Sequence, residues 1–194
     1  MKTFGLTGGM GMGKSTGAEL LRQRGVAVID TDDLARELTQ PGRPALAEIA
    51  AAFGPSVLTS SGELRRQVLA DLVFNNPQAR QRLEAILHPK IAETWAAQLD
   101  GWRADGMARA VVVIPLLFET HVEAAFDTTV CVACSRATQL RRLGDRGWAP
   151  AEIDRREAAQ WPVEQKLARA RFVIWTEGTL AVYAAQWERV LAAC

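Results

Sequence analysis

The segment GGMGMGKS at residues 8–15 decides the fold of this chain, because it satisfies the phosphate-loop pattern G-x-x-x-x-G-K-[ST] in full. An apolar strand predicted at residues 3–7 runs into the segment, and a helix predicted at residues 15–24 follows it. In such a loop the backbone N–H groups and the positive end of the helix attract phosphate oxygens. The segment therefore predicts a nucleotide phosphate site, with an incidental glycine-rich turn as the alternative.

Lys14 and Ser15 are the chemically active side chains of this loop. The lysine can neutralise the β and γ phosphates of a nucleotide, and the serine hydroxyl can bind Mg²⁺. The residues predicted to contact the nucleotide are Gly9, Gly11, Met12, Gly13, Lys14, Ser15 and Thr16.

Five short apolar runs are typical of buried strands, and longer stretches with helical spacing separate them. The runs are residues 3–7, 26–30, 110–114, 128–133 and 171–175. The alternation of strands and helices favours one parallel sheet with helices on both faces. The predicted fold is therefore α/β with a five-stranded parallel sheet, in a chain that forms one domain with subdomains.

About 80 residues separate the second and third predicted strands, and they indicate a helical insertion at residues 33–106. Helices are predicted at residues 44–53, 63–74 and 77–87, and a fourth is predicted to begin at Pro89. The insertion can be a substrate-binding cap or a structural extension. The remaining core comprises residues 1–32 and 107–194.

Asp32 follows directly after the second predicted strand, which ends at Asp30. Ligands of open parallel sheets bind outside the carboxyl ends of the strands, so Asp32 is predicted to lie at the rim of the phosphate site. A carboxylate there can accept the proton of an attacking hydroxyl or orient Mg²⁺. The alternative is that one of the two aspartates, Asp30 or Asp32, only caps a helix beginning at residue 33 or 34; we expect one to cap and Asp32 to act.

Several arginines at residues 138–146 follow the fourth predicted strand at helical spacing. A cation from a closing segment would neutralise charge on a transferring phosphoryl group, although exposed arginines often only solvate a helix. Residues 144–150 are a candidate mobile loop.

The charge balance offers no general attraction for polyanions, since 23 Lys and Arg residues face 22 Asp and Glu residues for a formal net charge of +1. We therefore expect neither a nucleic-acid nor a membrane partner. No apolar run reaches the roughly 18 residues of a membrane span, and the first residues lack the apolar segment of a signal peptide. The expected protein is cytoplasmic and monomeric, with weak self-association as the alternative.

Three cysteines are too few for a disulfide framework and fit a reducing compartment. Cys131 and Cys134 form a C-x-x-C pair, but no second pair completes a zinc site. We expect both thiols to be buried and structural.

Several segments in this order resemble the dephospho-coenzyme A kinase family. They are residues 4–16, 28–36, 53–54, 62–66, LEAILHP at 83–89, PLLFE at 115–119 and TQLRR at 138–142, with shorter pieces up to residue 174. The phosphate loop is shared by many proteins, whereas LHP and PLLFE are specific to this family. The resemblance implies a P-loop kinase that uses ATP and Mg²⁺ to phosphorylate the ribose 3′-hydroxyl of dephospho-coenzyme A. The products are coenzyme A and ADP, in the last step of coenzyme A synthesis.

The resemblance also implies residue roles. Asp32 falls on the family's aspartate base, Lys14 on its phosphate-loop lysine and Arg142 on its lid arginine. The insertion falls on the coenzyme A-binding subdomain, and residues 139–165 on a lid that closes over ATP. The acceptor site would be lined by Arg66, His88, Leu116 and Leu117. His88 can instead be a helix-junction residue, and Glu119 either a site residue or a carboxylate at a helix start.

The chain departs from the family pattern at two places. Ile114 stands where an aspartate often precedes the Pro-Leu-Leu segment. Residues 175–178 read Trp-Thr-Glu-Gly where the family usually has an asparagine near a glycine that contacts adenine. Trp175 or the backbone would then serve in adenine recognition.

Two other functions are compatible with a phosphate loop. One is a kinase of the same core that acts on a nucleoside monophosphate or a sugar-like acid. The other is a GTP-dependent switch that binds a protein partner, although the chain has no Asn-Lys-x-Asp segment for reading guanine.

Overall fold

A computed structural model describes residues 1–194. Its strands are β1 (Lys2–Gly8), β2 (Ala27–Asp30), β3 (Arg109–Val113), β4 (Thr128–Ala133) and β5 (Phe172–Trp175). Its α-helices are α1 (Lys14–Arg22), α2 (Thr31–Leu38), α3 (Pro44–Phe53), α4 (Arg66–Phe74), α5 (Pro77–Ala104), α6 (Arg136–Gly144), α7 (Pro150–Glu157), α8 (Val163–Arg169) and α9 (Leu180–Ala192). Short 3₁₀ turns lie at Pro55–Val57 and Glu123–Ala125.

The five strands form one parallel sheet in the order β2-β3-β1-β4-β5. The central strand β1 is buried on both faces, and Phe4 and Leu6 are fully inaccessible to solvent. Burial on both faces is typical of parallel sheets, and it explains why these strands are continuous apolar runs in the sequence. The predicted α/β fold with a five-stranded parallel sheet is confirmed. Because all strands run the same way, the phosphate loop after β1 begins at the edge where their carboxyl ends meet.

The chain divides into two compact units. The first comprises Met1–Asp30 and Trp102–Cys194 and contains the whole sheet. The second, Thr31–Gly101, is helical and has its own apolar core around Ile49, Val57, Leu69 and Val73. None of the helices is both long and apolar enough to cross a membrane.

The two helices predicted on either side of Pro89 are one helix. The prediction of a new helix at this proline is wrong, since α5 continues through it from Pro77 to Ala104. A proline inside a helix leaves the carbonyl four residues earlier without its usual donor. Both Ala85 and Pro89 are exposed, so water can satisfy that carbonyl at little cost.

Two other helices begin elsewhere than predicted. Helix α4 begins at Arg66 rather than residue 63, because Leu58 and Leu64 pair as an antiparallel bridge and hold the intervening residues in a turn. Helix α2 begins at Thr31, so Asp32 and Asp33 both lie in its first turn. The start predicted for this helix at residue 33 or 34 is therefore wrong, and both aspartates lie inside the helix. Their negative charges still interact favourably with the positive end of the helix.

Candidate active site

The phosphate loop joins β1 to α1, and its backbone takes φ angles that favour glycine at two positions. Gly8 has a φ of 146°, and a Cβ atom there would lie 2.3 Å from the carbonyl oxygen of Val132. Gly13 precedes α1 in the left-handed region, with a φ of 99°. Side chains at either position would be strained. The glycines of the sequence pattern are therefore required by the backbone conformation of the loop. This conformation brings main-chain N–H groups together at the start of α1.

The Lys14 side chain lies along the loop and binds its main chain. Its Nζ donates to the carbonyl oxygens of Gly8 at 2.7 Å and Gly9 at 3.0 Å. The ammonium group is therefore held within the loop itself, where it can neutralise phosphate oxygens.

The other predicted nucleotide residues occupy different environments in the loop. Met12 is buried and packs against Ala133 and Cys134 at the end of β4. Ser15 is exposed, and Thr16 is half-buried. The Met12 side chain thus anchors the loop to the end of β4.

Helix α9 supports the phosphate loop through a residue that sequence reasoning missed. Tyr183 Oη donates to the carbonyl oxygen of Gly13 at 3.1 Å. Burial raises the pKa of Tyr183 well above its ordinary range, so the hydroxyl stays protonated and remains a donor. Gly17 gives the ring room, since a Cβ at Gly17 would lie 2.3 Å from the tyrosine oxygen.

Arg142 on α6 is attached to both the phosphate loop and the loop after β5. Its Nη1 donates to Thr176 Oγ1 at 2.9 Å, and its Nη2 donates to the Thr176 carbonyl oxygen at 2.6 Å. Nη1 also lies 3.5 Å from the carbonyl oxygen of Gly11. The Thr176 hydroxyl in turn donates to the carbonyl oxygen of Met12 at 3.0 Å. The structure therefore brings Lys14 and Arg142 to the same loop.

Gln139 links the phosphate loop to α7. Its Nε2 donates to the Met10 carbonyl oxygen at 2.8 Å and to Glu157 Oε1 at 2.8 Å, while its Oε1 accepts from Arg136 at 2.9 Å. Arg136 also pairs with Glu157, and this pairing raises the pKa of the arginine. The side chain of Gln139 is buried. Because the buried amide of Gln139 has partners for both its oxygen and its nitrogen, it favours one arrangement of the phosphate loop relative to α7.

Glu177 lies in the segment at residues 175–178, which departs from the family pattern, and hydrogen-bonds to neighbouring residues. Its carboxylate accepts from Ser135, which caps α6, and from the Trp175 indole N–H at 3.0 Å. The hydrogen bond from the Ser135 side chain is the largest cause that lowers the pKa of Glu177 to about 2. Trp175 is 44% exposed.

Cys131 within β4 and Cys134 just after it are free, buried cysteines. Burial raises the pKa of Cys131 to about 11 and that of Cys134 above its ordinary range. Both are therefore neutral thiols, which are poor nucleophiles and metal ligands.

A cavity of about 590 Å³ opens beside the phosphate loop. Gly9 and Met10 line one side, and Gln139, Trp161 and Pro162 line the other. Its walls therefore come from the loop, from α6 and from the segment between α7 and α8.

The segment after β3 contributes Leu116 and Leu117. Leu117 is fully buried with its side chain against Gly5, whereas Leu116 is half-buried. Glu119 in the same segment forms an ion pair with Lys166 at 2.7 Å, a contact that sequence reasoning did not predict.

The remaining predicted residues lie in the helical unit Thr31–Gly101. Asp32 is exposed in the first turn of α2. Arg66, at the start of α4, donates to the carbonyl oxygen of Arg36 at 3.2 Å and to Thr39 Oγ1 at 3.0 Å. Arg66 is therefore held against α2, the helix that carries Asp32. His88 is half-buried within α5.

Comparison with known proteins shows what this chain is similar to. The family model described as dephospho-CoA kinase (CoaE) matches residues 2–181. A dephospho-CoA kinase from Anaeromyxobacter dehalogenans is 46% identical over 193 residues, which are 99% of this chain and 92% of that protein. The crystal structure of TT1252 from Thermus thermophilus superposes with a TM-score of 0.83 at 35% identity, covering 99% of this chain and 97% of the other. Dephospho-CoA kinase from Campylobacter jejuni superposes with a TM-score of 0.71 at 25% identity, covering 99% and 96% of the two chains.

Proposed function

The chain belongs to the dephospho-CoA kinase family, and from this membership we propose that it transfers the γ-phosphoryl group of ATP to the ribose 3′-hydroxyl of dephospho-coenzyme A. The products are coenzyme A and ADP, so the reaction completes coenzyme A biosynthesis. The observation that carries the proposal is the attachment of two cations, Lys14 and Arg142, to one phosphate loop. Phosphoryl transfer needs such charges, because negative charge spreads over the oxygens of the moving group.

The ATP phosphates bind to the loop formed by Gly9, Gly11, Met12, Gly13, Lys14, Ser15 and Thr16. Lys14 exchanges its bonds to the Gly8 and Gly9 carbonyl oxygens for phosphate oxygens. Arg142, already directed at the loop by Thr176, neutralises charge on the transferring group. These residues position the phosphates for in-line displacement.

Kinases of the P-loop type generally use Mg²⁺, and the donor set here fits that ion. No group of three or more His, Cys, Asp or Glu side chains forms a complete metal site. Mg²⁺ typically takes one or two protein ligands and fills its remaining positions with substrate phosphates and water. The exposed hydroxyl of Ser15 at the start of α1 suits that mode. When bound, the ion would neutralise phosphate charge.

Asp32 accepts the proton of the 3′-hydroxyl in this proposal. Its carboxylate is exposed in the first turn of α2, where the positive end of the helix interacts favourably with negative charge. A neighbouring carboxylate that receives the proton makes the ribose oxygen a better nucleophile.

The acceptor is held by Arg66, His88, Leu116 and Leu117. Arg66 provides a permanent cation for a pyrophosphate or carbonyl group. His88 and Leu116 are half-buried and provide partly apolar contacts. Leu117 contributes through its main chain, since its side chain is buried in the core.

Residues 139–165 close over ATP as a lid. Water could otherwise receive the phosphoryl group in place of the ribose hydroxyl. We further propose a cytoplasmic monomer that binds neither nucleic acid nor membranes. The near-zero net charge and the three free cysteines support this assignment.

The proposed function is tested by ADP release from Mg-ATP with dephospho-coenzyme A, AMP, shikimate or no acceptor, and by the mass of each product. Stimulation by dephospho-coenzyme A alone, with coenzyme A as product, is the expected result. Stimulation by AMP or shikimate instead would identify another small-molecule kinase. Tighter binding of GTP than ATP, with slow hydrolysis and no acceptor effect, would identify a nucleotide switch.

A further inference from the structure

Lys166 on α8 is a fully buried cation. Its side chain has no exposure to solvent. Its Nζ donates to the carbonyl oxygen of Pro115 at 2.6 Å and to Glu119 Oε1 at 2.7 Å. An ammonium group loses its hydration on burial, and apolar residues of the same size often stabilise a fold equally well. The position of this pair therefore needs an explanation other than stability.

The pair joins segments from three parts of the sheet unit. Glu119 Oε1 also accepts from the Trp161 main-chain N–H at 2.9 Å. Thr7, the residue before Gly8, donates its hydroxyl to the same Pro115 carbonyl oxygen at 3.1 Å. One ion pair thus connects the strand that enters the phosphate loop, the segment at residues 115–119 and the end of the lid.

The end of the proposed lid is held in place through contacts of Trp161. Its ring lies 5.5 Å from the guanidinium carbon of Arg169 and edge-on to His121 at 6.5 Å. It also lines the cavity beside Gly9 and Met10. A shift of Trp161 would therefore change both the cavity and the path on which the lid closes.

We propose that Lys166 and Glu119 are positioning residues, which hold residues 115–119 and the lid end at Trp161 in the arrangement that the acceptor requires. Neither side chain touches the reacting atoms. This inference rests on the proposed function, because it takes Leu116 and Leu117 as part of the acceptor site. Loss of the pair raises the KM for the acceptor and lowers kcat, and its effect on the KM for ATP is much smaller.

The test compares wild type, Lys166→Met and the double variant Lys166→Met/Glu119→Gln. The single variant leaves a buried carboxylate without its cation, so it is expected to lower Tm. The double variant removes both charges and retains an acceptor for the Trp161 N–H, so its Tm is expected to return close to the wild-type value. Its acceptor KM is expected to stay at least tenfold raised, with an ATP KM within twofold of wild type.

Lys2→Met is the matched control, since it makes the same substitution at an exposed lysine. It should leave Tm and both KM values unchanged. If the double variant recovered both Tm and acceptor KM, the pair would serve stability alone and the proposal would be overturned. If the double variant does not fold, Glu119→Gln decides: an acceptor KM raised threefold or more supports positioning, and a wild-type KM overturns it.

Hydrogen exchange provides a readout that does not depend on the acceptor. Peptides covering residues 115–122 and 157–165 should exchange faster in the double variant than in wild type or Lys2→Met. Wild-type exchange in both peptides overturns the positioning role. Absence of turnover with dephospho-coenzyme A in wild-type protein would instead contradict the proposed function, and the exchange comparison would still decide the role of the pair.

Discussion

Arg142 and Thr176 are joined by two hydrogen bonds, from Nη2 to the threonine carbonyl oxygen at 2.6 Å and from Nη1 to its hydroxyl at 2.9 Å. The same hydroxyl donates to the carbonyl oxygen of Met12 in the phosphate loop. Thr176 therefore fixes the arginine relative to the loop before any nucleotide binds. Such preorganisation lowers the cost of ordering the cation in the transition state.

Replacing Thr176 by valine should weaken ATP binding. Valine keeps the shape of threonine but leaves the Met12 carbonyl oxygen without its donor and reduces the bonds between Arg142 and residue 176 from two to one. An unsatisfied buried polar group costs about 1–3 kcal/mol, and about 1.4 kcal/mol corresponds to a tenfold change in affinity. We expect the KM for ATP to rise about tenfold in steady-state assays. Thr176→Ser retains the hydroxyl and should stay within twofold of wild type; equal effects of both substitutions would contradict the role of the hydroxyl.

Replacing Arg142 by methionine should lower kcat on the order of 10²- to 10³-fold, the size expected for the loss of one charged donor to the transition state. Arg142→Lys should also be impaired, because an ammonium group cannot make the paired contacts of a guanidinium. Arg141 is an exposed neighbour on the same helix, and Arg141→Met should keep kcat within twofold. A similar loss of kcat in Arg142→Met and Arg141→Met would indicate a general effect of positive charge on the helix and would contradict a specific role of Arg142.

Asp32→Asn should abolish most acceptor-dependent turnover and preserve ATP binding. The amide keeps the size of the carboxylate but cannot accept the proton of the ribose hydroxyl. Calorimetry should give the wild-type Kd for ATP, while kcat falls at least about 10²-fold. Asp33→Asn is the matched control, because Asp33 occupies the same helical turn and pairs with Arg36 at 3.4 Å. Wild-type turnover in Asp32→Asn would remove this residue from the mechanism.

Gly17→Ala should destabilise the fold, although alanine is the better helix former. Its Cβ would lie 2.3 Å from Tyr183 Oη and 3.1 Å from Trp187 Nε1, so α1 and α9 would have to separate. Overpacking of this kind costs about 1–3 kcal/mol. Gly101→Ala places the same methyl group in open space on α5 and should instead stabilise by about 0.5 kcal/mol. Urea unfolding of both variants measures the contrast, and the same sign for both would refute the packing argument.

The Glu177 carboxylate should contribute to stability in a pH-dependent way. Its pKa is lowered to about 2 in the folded chain, chiefly by the Ser135 hydroxyl. Its contribution is therefore complete above the ordinary glutamate pKa of about 4.5 and is lost as the pH falls toward 2. The difference in unfolding free energy between wild type and Glu177→Gln should shrink between about pH 5 and pH 2.5. A constant difference over that range would show that the charge contributes nothing.

Much of the fold could be predicted from the sequence, because strands buried on both faces appear as apolar runs and the phosphate loop has a fixed pattern. The helical unit was harder to predict. Pro89 indicated a helix start, but its exposed position allows α5 to continue through it. Likewise, α2 begins at Thr31, directly after β2, which no capping pattern had indicated.

The supporting contacts of the candidate site could not be predicted from local sequence. Thr176 lies 34 residues from Arg142, and Tyr183 lies 170 residues from Gly13. Lys166 lies 51 residues from Pro115. Such pairs depend on how segments that are distant in the sequence meet in the fold. The phosphate loop could be predicted because its residues are contiguous in the sequence.

The position of the transferred phosphate on the product distinguishes phosphorylation of the ribose 3′-hydroxyl from every other outcome. The protein is incubated with Mg-ATP and dephospho-coenzyme A, and the product is analysed by ³¹P NMR and fragment mass. We expect one ADP for each new phosphomonoester, located on the ribose 3′-oxygen. Release of inorganic phosphate alone, or a phosphate on any other oxygen of the acceptor, would contradict the proposed function.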